Sequence, residues 1–267
     1  YMFLATTEPG WERLQERAAL QQRLGVPVEA VDPSRFGGLR TEDVHGAVAC
    51  WLDGVAEPAE VTRELVRRAV ELGVGVQERT DARALPADVL VVACGAASPE
   101  LRPELPIRPL CRQLVDVGPV ARLPVDLPMT IEDETTFHFR RRGNTLRLAM
   151  TESPPRWTWD ELVDEELVED WRARLAHRFP PAAGAPRVRA WAGLYDMTPD
   201  AHPIIGEIAD GVYAACGFSG HGFMQSPAVG RAVAEELVFG QAELDLSPYR
   251  LSRFAGEVAT QAEQVVL

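Results

Sequence analysis

Apolar positions alternate between two spacings along the chain. Tyr1-Met2-Phe3-Leu4-Ala5-Thr6 is a short apolar run that reads as a core strand. Over residues 9–24 the spacing becomes helical, with Trp11, Leu14, Ala18 and Leu24 forming a stripe and Gly25 placed to end it. A turn-rich stretch over residues 32–43 leads to a strand near residues 44–52. The segment after Asp53 reads as a helix: Pro58 suits its first turn, Val61, Leu65, Ala69 and Leu72 share a face, and Gly73 stops it. A short strand is predicted at residues 74–78. Residues 88–95, D-V-L-V-V-A-C-G, are almost continuously apolar, the pattern of a strand buried on both faces in a parallel sheet.

The second half reads in the same way. Strands are predicted at residues 112–117, 135–140 and 145–150, the last two flanking the hairpin turn R-R-G-N. An amphipathic helix covers residues 160–178, with Leu167, Trp171 and Leu175 in register, and a strand covers residues 187–192. The strand at residues 212–216 is followed by a glycine-rich bend. A helix is then predicted over residues 227–239, with Ser226 and Pro227 marking its start and Gly240 its end.

Composition narrows the function classes. The 267 residues carry a net charge of −13, which repels nucleic-acid backbones and anionic membrane surfaces. No apolar run approaches the roughly 20 residues of a membrane span, and no signal peptide opens the sequence, so a cytoplasmic location is expected. Four scattered cysteines read as buried, reduced thiols. The histidines have no metal-ligand spacing, so no metal site is predicted. All 27 basic residues are arginine, which rules out any lysine base, Schiff base or phosphate-loop lysine in this sequence.

The densest chemistry lies in Gly217-Phe218-Ser219-Gly220-His221-Gly222-Phe223-Met224, between a strand and a helix. Glycine accepts positive φ and lets backbone approach a ligand closely. A turn feeding a helix start aims free N–H groups and the positive end of the helix dipole at one place, which favours negative charge. The phosphate-loop pattern is absent, and the glycines have the reverse of G-x-G-x-x-G spacing.

Tyr195-Asp196-Met197-Thr198-Pro199-Asp200, Ala201-His202-Pro203-Ile204-Ile205-Gly206 and the Gly217–Met224 stretch together resemble the C-terminal end of the FAD-dependent D-amino-acid-oxidase-like superfamily. The closest likeness is to sarcosine oxidase and dehydrogenase β-subunits. Residues 1–7, the helix beginning at Asp53-Gly54, the 88–95 strand and Arg108-Pro109-Leu110-Cys111-Arg112-Gln113 resemble further family segments in the same order. The resemblance implies FAD as cofactor. It places Gly220, His221, Gly222, Phe223 and Met224 against the flavin ring and Gly95 near the dinucleotide. It also puts Gly193 where some relatives attach flavin covalently through cysteine. Positive φ is expected at Gly222. Tyr195, Arg112, His138 and Arg140 are candidates to line the substrate site, with arginine taking the substrate carboxylate. His202 reads as a structural residue of the turn before Pro203.

The expected fold is mixed α/β: a parallel-sheet flavin domain interleaved with an antiparallel-sheet substrate domain. The expected division is residues 1–52 and 101–192 for the substrate domain and 53–100 and 193–267 for the flavin domain. The family's opening βαβ unit with G-x-G-x-x-G has no counterpart in this sequence, so a truncated front or a partner chain completing the FAD site is expected. The implied activity is oxidation of a small amine or of a secondary or N-methyl amino acid, of the sarcosine or proline type, by hydride transfer to flavin N5. Without lysine, the resemblance points to a dehydrogenase rather than an oxidase. The alternative is a non-catalytic subunit or remnant that keeps the fold as an interaction surface without FAD.

Overall fold

The opening apolar run forms β1 (Met2–Ala5), which hands over to α1 (Glu8–Arg23) through a side-chain cap. Thr7 Oγ1 accepts the N–H of Gly10, and the Glu134 carboxylate accepts N–H and O–H groups of both Thr6 and Thr7. The structure is a computed structural model that describes residues 1–255. After α1 come β2 (Val28–Val31), β3 (Gly46–Cys50), α2 (Pro58–Glu71), β4 (Leu90–Val92) and a single turn, α3 (Ser98–Leu101). The chain continues through β5 (Arg108–Val117), β6 (Thr130–Glu132), β7 (His138–Arg142), β8 (Thr145–Ala149) and α4 (Glu165–Arg178). It then runs through β9 (Arg187–Met197), β10 (Ile204–Ala209), β11 (Val212–Cys216) and α5 (Gly222–Phe239). The fold class is mixed α/β, as read from the sequence.

Two compact units share these elements. Tyr1–Asp53 and Cys111–Leu194 make one; Gly54–Leu110 and the described part from Tyr195 onward make the other. The first unit is built on an eight-stranded sheet of order β2-β3-β1-β6-β7-β8-β5-β9. Its neighbouring strands pair antiparallel where register is defined, except β1 and β6, which run parallel. One sheet face carries Met2, Leu4, Val115, Val117, Phe139, Leu146 and Leu148 against Trp171 and Leu175 of α4. On the other face α1 packs Leu14 and Ala18 over Ala5, Val28 and Val48. The second unit has a three-stranded sheet, β10-β11-β4, in which β4 runs parallel to β11.

Several boundaries depart from the sequence pattern, each for a local reason. Helix α4 begins at Glu165, not residue 160, because Asp164 Oδ1 accepts the N–H groups of Glu166 and Leu167. Helix α5 begins at Gly222, directly in the glycine bend, and runs through Pro227. Proline cannot donate to the Phe223 carbonyl, and the Ser226 hydroxyl donates to it instead, at 2.9 Å. Residues 74–78 form no strand. Strands β2, β6 and β10 had no clear signal in the sequence.

Two burial expectations also change. Helix α2 forms as its spacing predicts, yet Leu65 is 54% and Leu72 87% exposed. Strand β4 has its parallel partner, but Val89 and Val91 are exposed while Val92 is fully buried. It is an edge strand among the described residues, not one covered on both faces. All four cysteines are free, but Cys94 is exposed and Cys50 only partly buried, so the expected burial holds for Cys111 and Cys216.

Candidate functional site

The glycine bend is shaped by backbone that other residues avoid. Gly217 has φ 75°, Ser219 52° and Gly220 93°. The left-handed region costs a residue with a Cβ about 1–2 kcal/mol, so a serine there needs support. Ser219 has it, fully buried: its N–H donates to the Asp196 carbonyl at 3.2 Å, and its Oγ accepts the Thr198 N–H at 3.2 Å. Asp196 adds its carboxylate, whose Oδ2 accepts the N–H of Gly217 at 2.7 Å and of Phe218 at 3.1 Å.

The glycines here also leave no room for a side chain. A Cβ on Gly217 would stand 2.5 Å from Thr198 Cγ2, and one on Gly220 would stand 2.5 Å from the Tyr195 ring. Gly222 differs from the sequence expectation. It is the first residue of α5, it has no positive φ, and its Cβ would meet Phe218 Cβ at 3.0 Å. What a side chain at this position would meet is mild crowding by Phe218, which would have to give by a few tenths of an ångström, not a handedness penalty.

His221 sits at the N-cap of α5 and gives no side-chain cap, so the first-turn N–H groups receive no capping acceptor from it. Phe223 and Met224 are exposed beside this uncapped start. In the same turn of helix, Gln225 Oε1 is buried with no hydrogen-bond partner. Gly95, with φ 53°, follows β4, and a Cβ there would meet nothing within 4 Å.

A buried ion pair braces the bend from below. Arg253 donates to both carboxylate oxygens of Asp200 and to the His202 carbonyl, and Thr198 Oγ1 donates to that same carbonyl at 2.8 Å. His202 thus serves the turn through its backbone, with its ring edge-on to Tyr249. The unit therefore brings Tyr195, near the end of β9, against the bend and helix start that carry Gly220, His221, Gly222, Phe223 and Met224. Sequence reasoning missed Asp196 and Ser219 as its supports, because their partners lie about twenty residues away in the chain.

Arg112, His138, Arg140 and Gly193 belong to the other unit. Strand alternation puts His138 and Arg140 on the face opposite Phe139, and Arg112 on the face opposite Val115, which is the same side of the sheet. His138 is held in one tautomer: Nδ1 lies 2.8 Å from the Thr136 carbonyl, which can only accept, so Nδ1 carries the proton. Burial pushes the His138 pKa below its ordinary value, and the bond to Thr136 only partly offsets this. A Cβ on Gly193 would meet nothing within 4 Å. Among the described residues no cluster of three or more metal-binding side chains occurs, and no helix is long and apolar enough to cross a membrane.

Residues 1–236 match the family model described as FAD dependent oxidoreductase. Glycine oxidase of Geobacillus kaustophilus is 26% identical over 97% of this chain and 74% of its own length. FAD-dependent oxidoreductase domain-containing protein 1 of Xenopus laevis is 34% identical over 57% of this chain, and the match spans only 32% of that relative. Among solved structures, L-proline dehydrogenase from P. horikoshii superposes with a TM-score of 0.85 at 25% identity, covering 96% of this chain and 76% of that one. The residues present fit a flavin: Gly217 and Gly220 leave no room for a Cβ, the helix start has no side-chain cap, a buried amide oxygen lacks a partner, and the backbone is open at Gly95.

Proposed function

The chain belongs to the FAD-dependent oxidoreductase family, and from that premise we propose that it takes part in oxidising a small secondary or N-methyl amino acid, as a dehydrogenase rather than an oxidase. The observation that carries the reading is the start of α5, without a side-chain cap, after a bend whose Gly217 and Gly220 have no room for a Cβ. The chemistry FAD would supply when bound is that of a two-electron acceptor for the hydride on the carbon beside the substrate nitrogen.

The roles of this chain's residues follow from their chemistry. Gly220, Gly222, Phe223 and Met224 offer close backbone approach at a positive helix end, which stabilises negative charge brought against it, and His221, whose own N–H donates to the Phe218 carbonyl at 2.9 Å, sits at its N-cap. Gly95 and Gly193 keep their backbone open to close approach. Arg112 and Arg140 offer planar forks suited to a carboxylate. His138, neutral through burial, holds its Nδ1 proton on Thr136 and exposes a lone pair at Nε2. Tyr195 packs on Gly220 and fixes the position of the bend. The dehydrogenase reading rests on the complete lack of lysine; Met224 follows the H-G-F segment, where the resemblance to oxidases calls for one.

The test uses the purified protein with its bound flavin. Anaerobic mixing with L-proline, sarcosine and glycine should bleach flavin absorbance faster with the two secondary amines. Reoxidation by a dye acceptor should outpace that by air-saturated buffer at least tenfold. Faster bleaching by glycine overturns the substrate class, equal reoxidation by oxygen overturns the dehydrogenase reading, and protein that carries no flavin favours a non-catalytic role.

A further inference from the structure

The two parallel strands that lead into the glycine turns both run out to cysteines. Strand β4 pairs with β11 so that Val91 stands opposite Tyr213 and Val92 opposite Ala214. The same register, carried two residues further on each strand, sets Cys94 opposite Cys216. Side chains two apart on a strand share a face, and Val92, Ala214 and Cys216 pack in one apolar cluster, so Cys94 falls at the exposed margin of that same face. Neighbouring strands stand about 4.8 Å apart. A disulfide joins Cα atoms separated by about 4.4–6.8 Å, so a bond here needs no rearrangement of the sheet. Cys94 also lies beyond the last registered pair, in backbone with φ −95° and ψ 15° that has left the ladder, which leaves it free to turn toward its partner.

The two thiols differ in what can reach them. Both are free, but Cys94 is exposed and Cys216 is buried. Burial pushes the Cys216 thiol up to about 11, and the neighbouring Asp196 and Cys94 push it in the same direction. The thiolate is the nucleophile in thiol chemistry, so Cys216 is inert toward a reagent in solution. A need to fill the apolar cluster accounts for Cys216 but not for Cys94, which is exposed.

We propose that Cys94 and Cys216 are a reversible oxidation site, closed to an intramolecular disulfide by small-molecule disulfides. The Cys94 thiolate attacks one sulfur of the small disulfide, whose S–S bond breaks and releases one thiolate. Cys216 then gives up its proton to a departing thiolate and attacks the Cys94 sulfur, which releases the second thiol. The protein pair is oxidised by two electrons, and the small disulfide is reduced to two thiols. The new bond lies one residue before Gly95 and Gly217, whose φ angles of 53° and 75° begin the two turns, so it fastens the ends of β4 and β11 to each other. This assignment needs neither flavin nor turnover, so it stands or falls apart from the proposed redox activity.

Incubation of the purified protein with glutathione disulfide, followed by digestion without reductant and mass spectrometry, provides the test. The digest should contain one linked peptide pair joining Cys94 to Cys216, and the thiols titrated after denaturation should fall from four to two. Dithiothreitol should restore all four. Cys94→Ser should leave its three remaining thiols free under the same treatment, whereas Cys216→Ser should retain glutathione on Cys94. Should the buried Cys216→Ser variant not fold, Cys94→Ser, at an exposed position, decides the matter with the wild type. Four free thiols after treatment, a link from either residue to Cys50 or Cys111, or a wild type that keeps glutathione on Cys94 without closing overturns the proposal.

Discussion

Asp196 Oδ2 accepts the backbone N–H of Gly217 at 2.7 Å, so a carboxylate at the end of one strand sets the first peptide of a bend that begins after another. The same oxygen takes the next N–H, from Phe218. With the N–H groups of Ser219 and His221 taken by the Asp196 and Phe218 carbonyls, four donors of the turn are committed to the protein, and the proposed ligand donors are those at the start of α5.

Replacing Asp196 with alanine strands both donors. A buried N–H without an acceptor costs about 1–3 kcal/mol. The expected outcome for Asp196→Ala is a lower thermal midpoint and a larger proportional loss of bound flavin, read from absorbance after unfolding. Asp196→Asn retains an oxygen acceptor and should keep most of its flavin. An alanine variant with full flavin and unchanged melting would remove Asp196 from the support of the bend.

Gly220 and Gly222 should respond differently to the same small change. Gly220→Ala places a Cβ at φ 93° and within 2.5 Å of the Tyr195 ring, so it meets both backbone strain, about 1–2 kcal/mol, and a clash. Gly222→Ala meets only the Phe218 side chain, Cβ at 3.0 Å and Cγ at 3.2 Å, on helical backbone. Gly220→Ala should lose flavin and stability together, and Gly222→Ala should lose little of either. Equal behaviour of the two variants in flavin content and melting would contradict this geometry.

The sequence made the glycine bend and its helix legible because turn chemistry is local: three glycines and a histidine between an apolar strand and a helix admit few conformations. The start of α5 was misread for an equally local reason. Ser226-Pro227 is a strong start signal, and only the structure shows the Ser226 hydroxyl satisfying the carbonyl that Pro227 leaves open. What could not be read were pairings across the sheet. Asp116 and Arg189 are 73 residues apart, and nothing along the chain announces that β5 and β9 are neighbours. Helix α2 shows the converse: its stripe predicts the helix correctly, but periodicity alone does not decide what covers Leu65 and Leu72.

His138 gives the fold a specific acid sensitivity. Burial keeps its pKa below the ordinary value of 6.5, so the folded protein resists protonation where the unfolded chain accepts it. Between the two pKa values the unfolded state binds the extra proton, and stability therefore falls as pH drops through 6.5, by at most about 1.4 kcal/mol per pH unit, levelling off below the folded pKa. Urea unfolding of the wild type and of His138→Gln from pH 8 to pH 5 checks this. The wild type should lose more stability over that range than the variant; parallel curves would show that His138 does not titrate in this way.

Arg178 is a fully buried cation in the sheet unit, and its removal should be far more damaging than that of an exposed arginine. Its side chain is 1% exposed. Its Nε donates to Glu132 at 2.7 Å, Nη1 donates to the Arg40 carbonyl and to Asp43, each at 2.7 Å, and Nη2 donates to Asp43 at 3.0 Å. Arg178→Met fills most of the space but leaves Glu132, itself nearly buried, without its cation. Breaking a buried pair from one side costs about 3–5 kcal/mol, because the remaining charge must stay desolvated or take up a proton. Adding Glu132→Gln removes that charge, so the double variant Glu132→Gln/Arg178→Met should regain part of the loss, a coupling that additive effects cannot produce. Chemical unfolding of the wild type, both single variants and the double variant at pH 7 measures it. If the double variant is as unstable as the sum of the two single losses, the Arg178–Glu132 contact contributes no pairwise stabilisation and the damage belongs to packing alone.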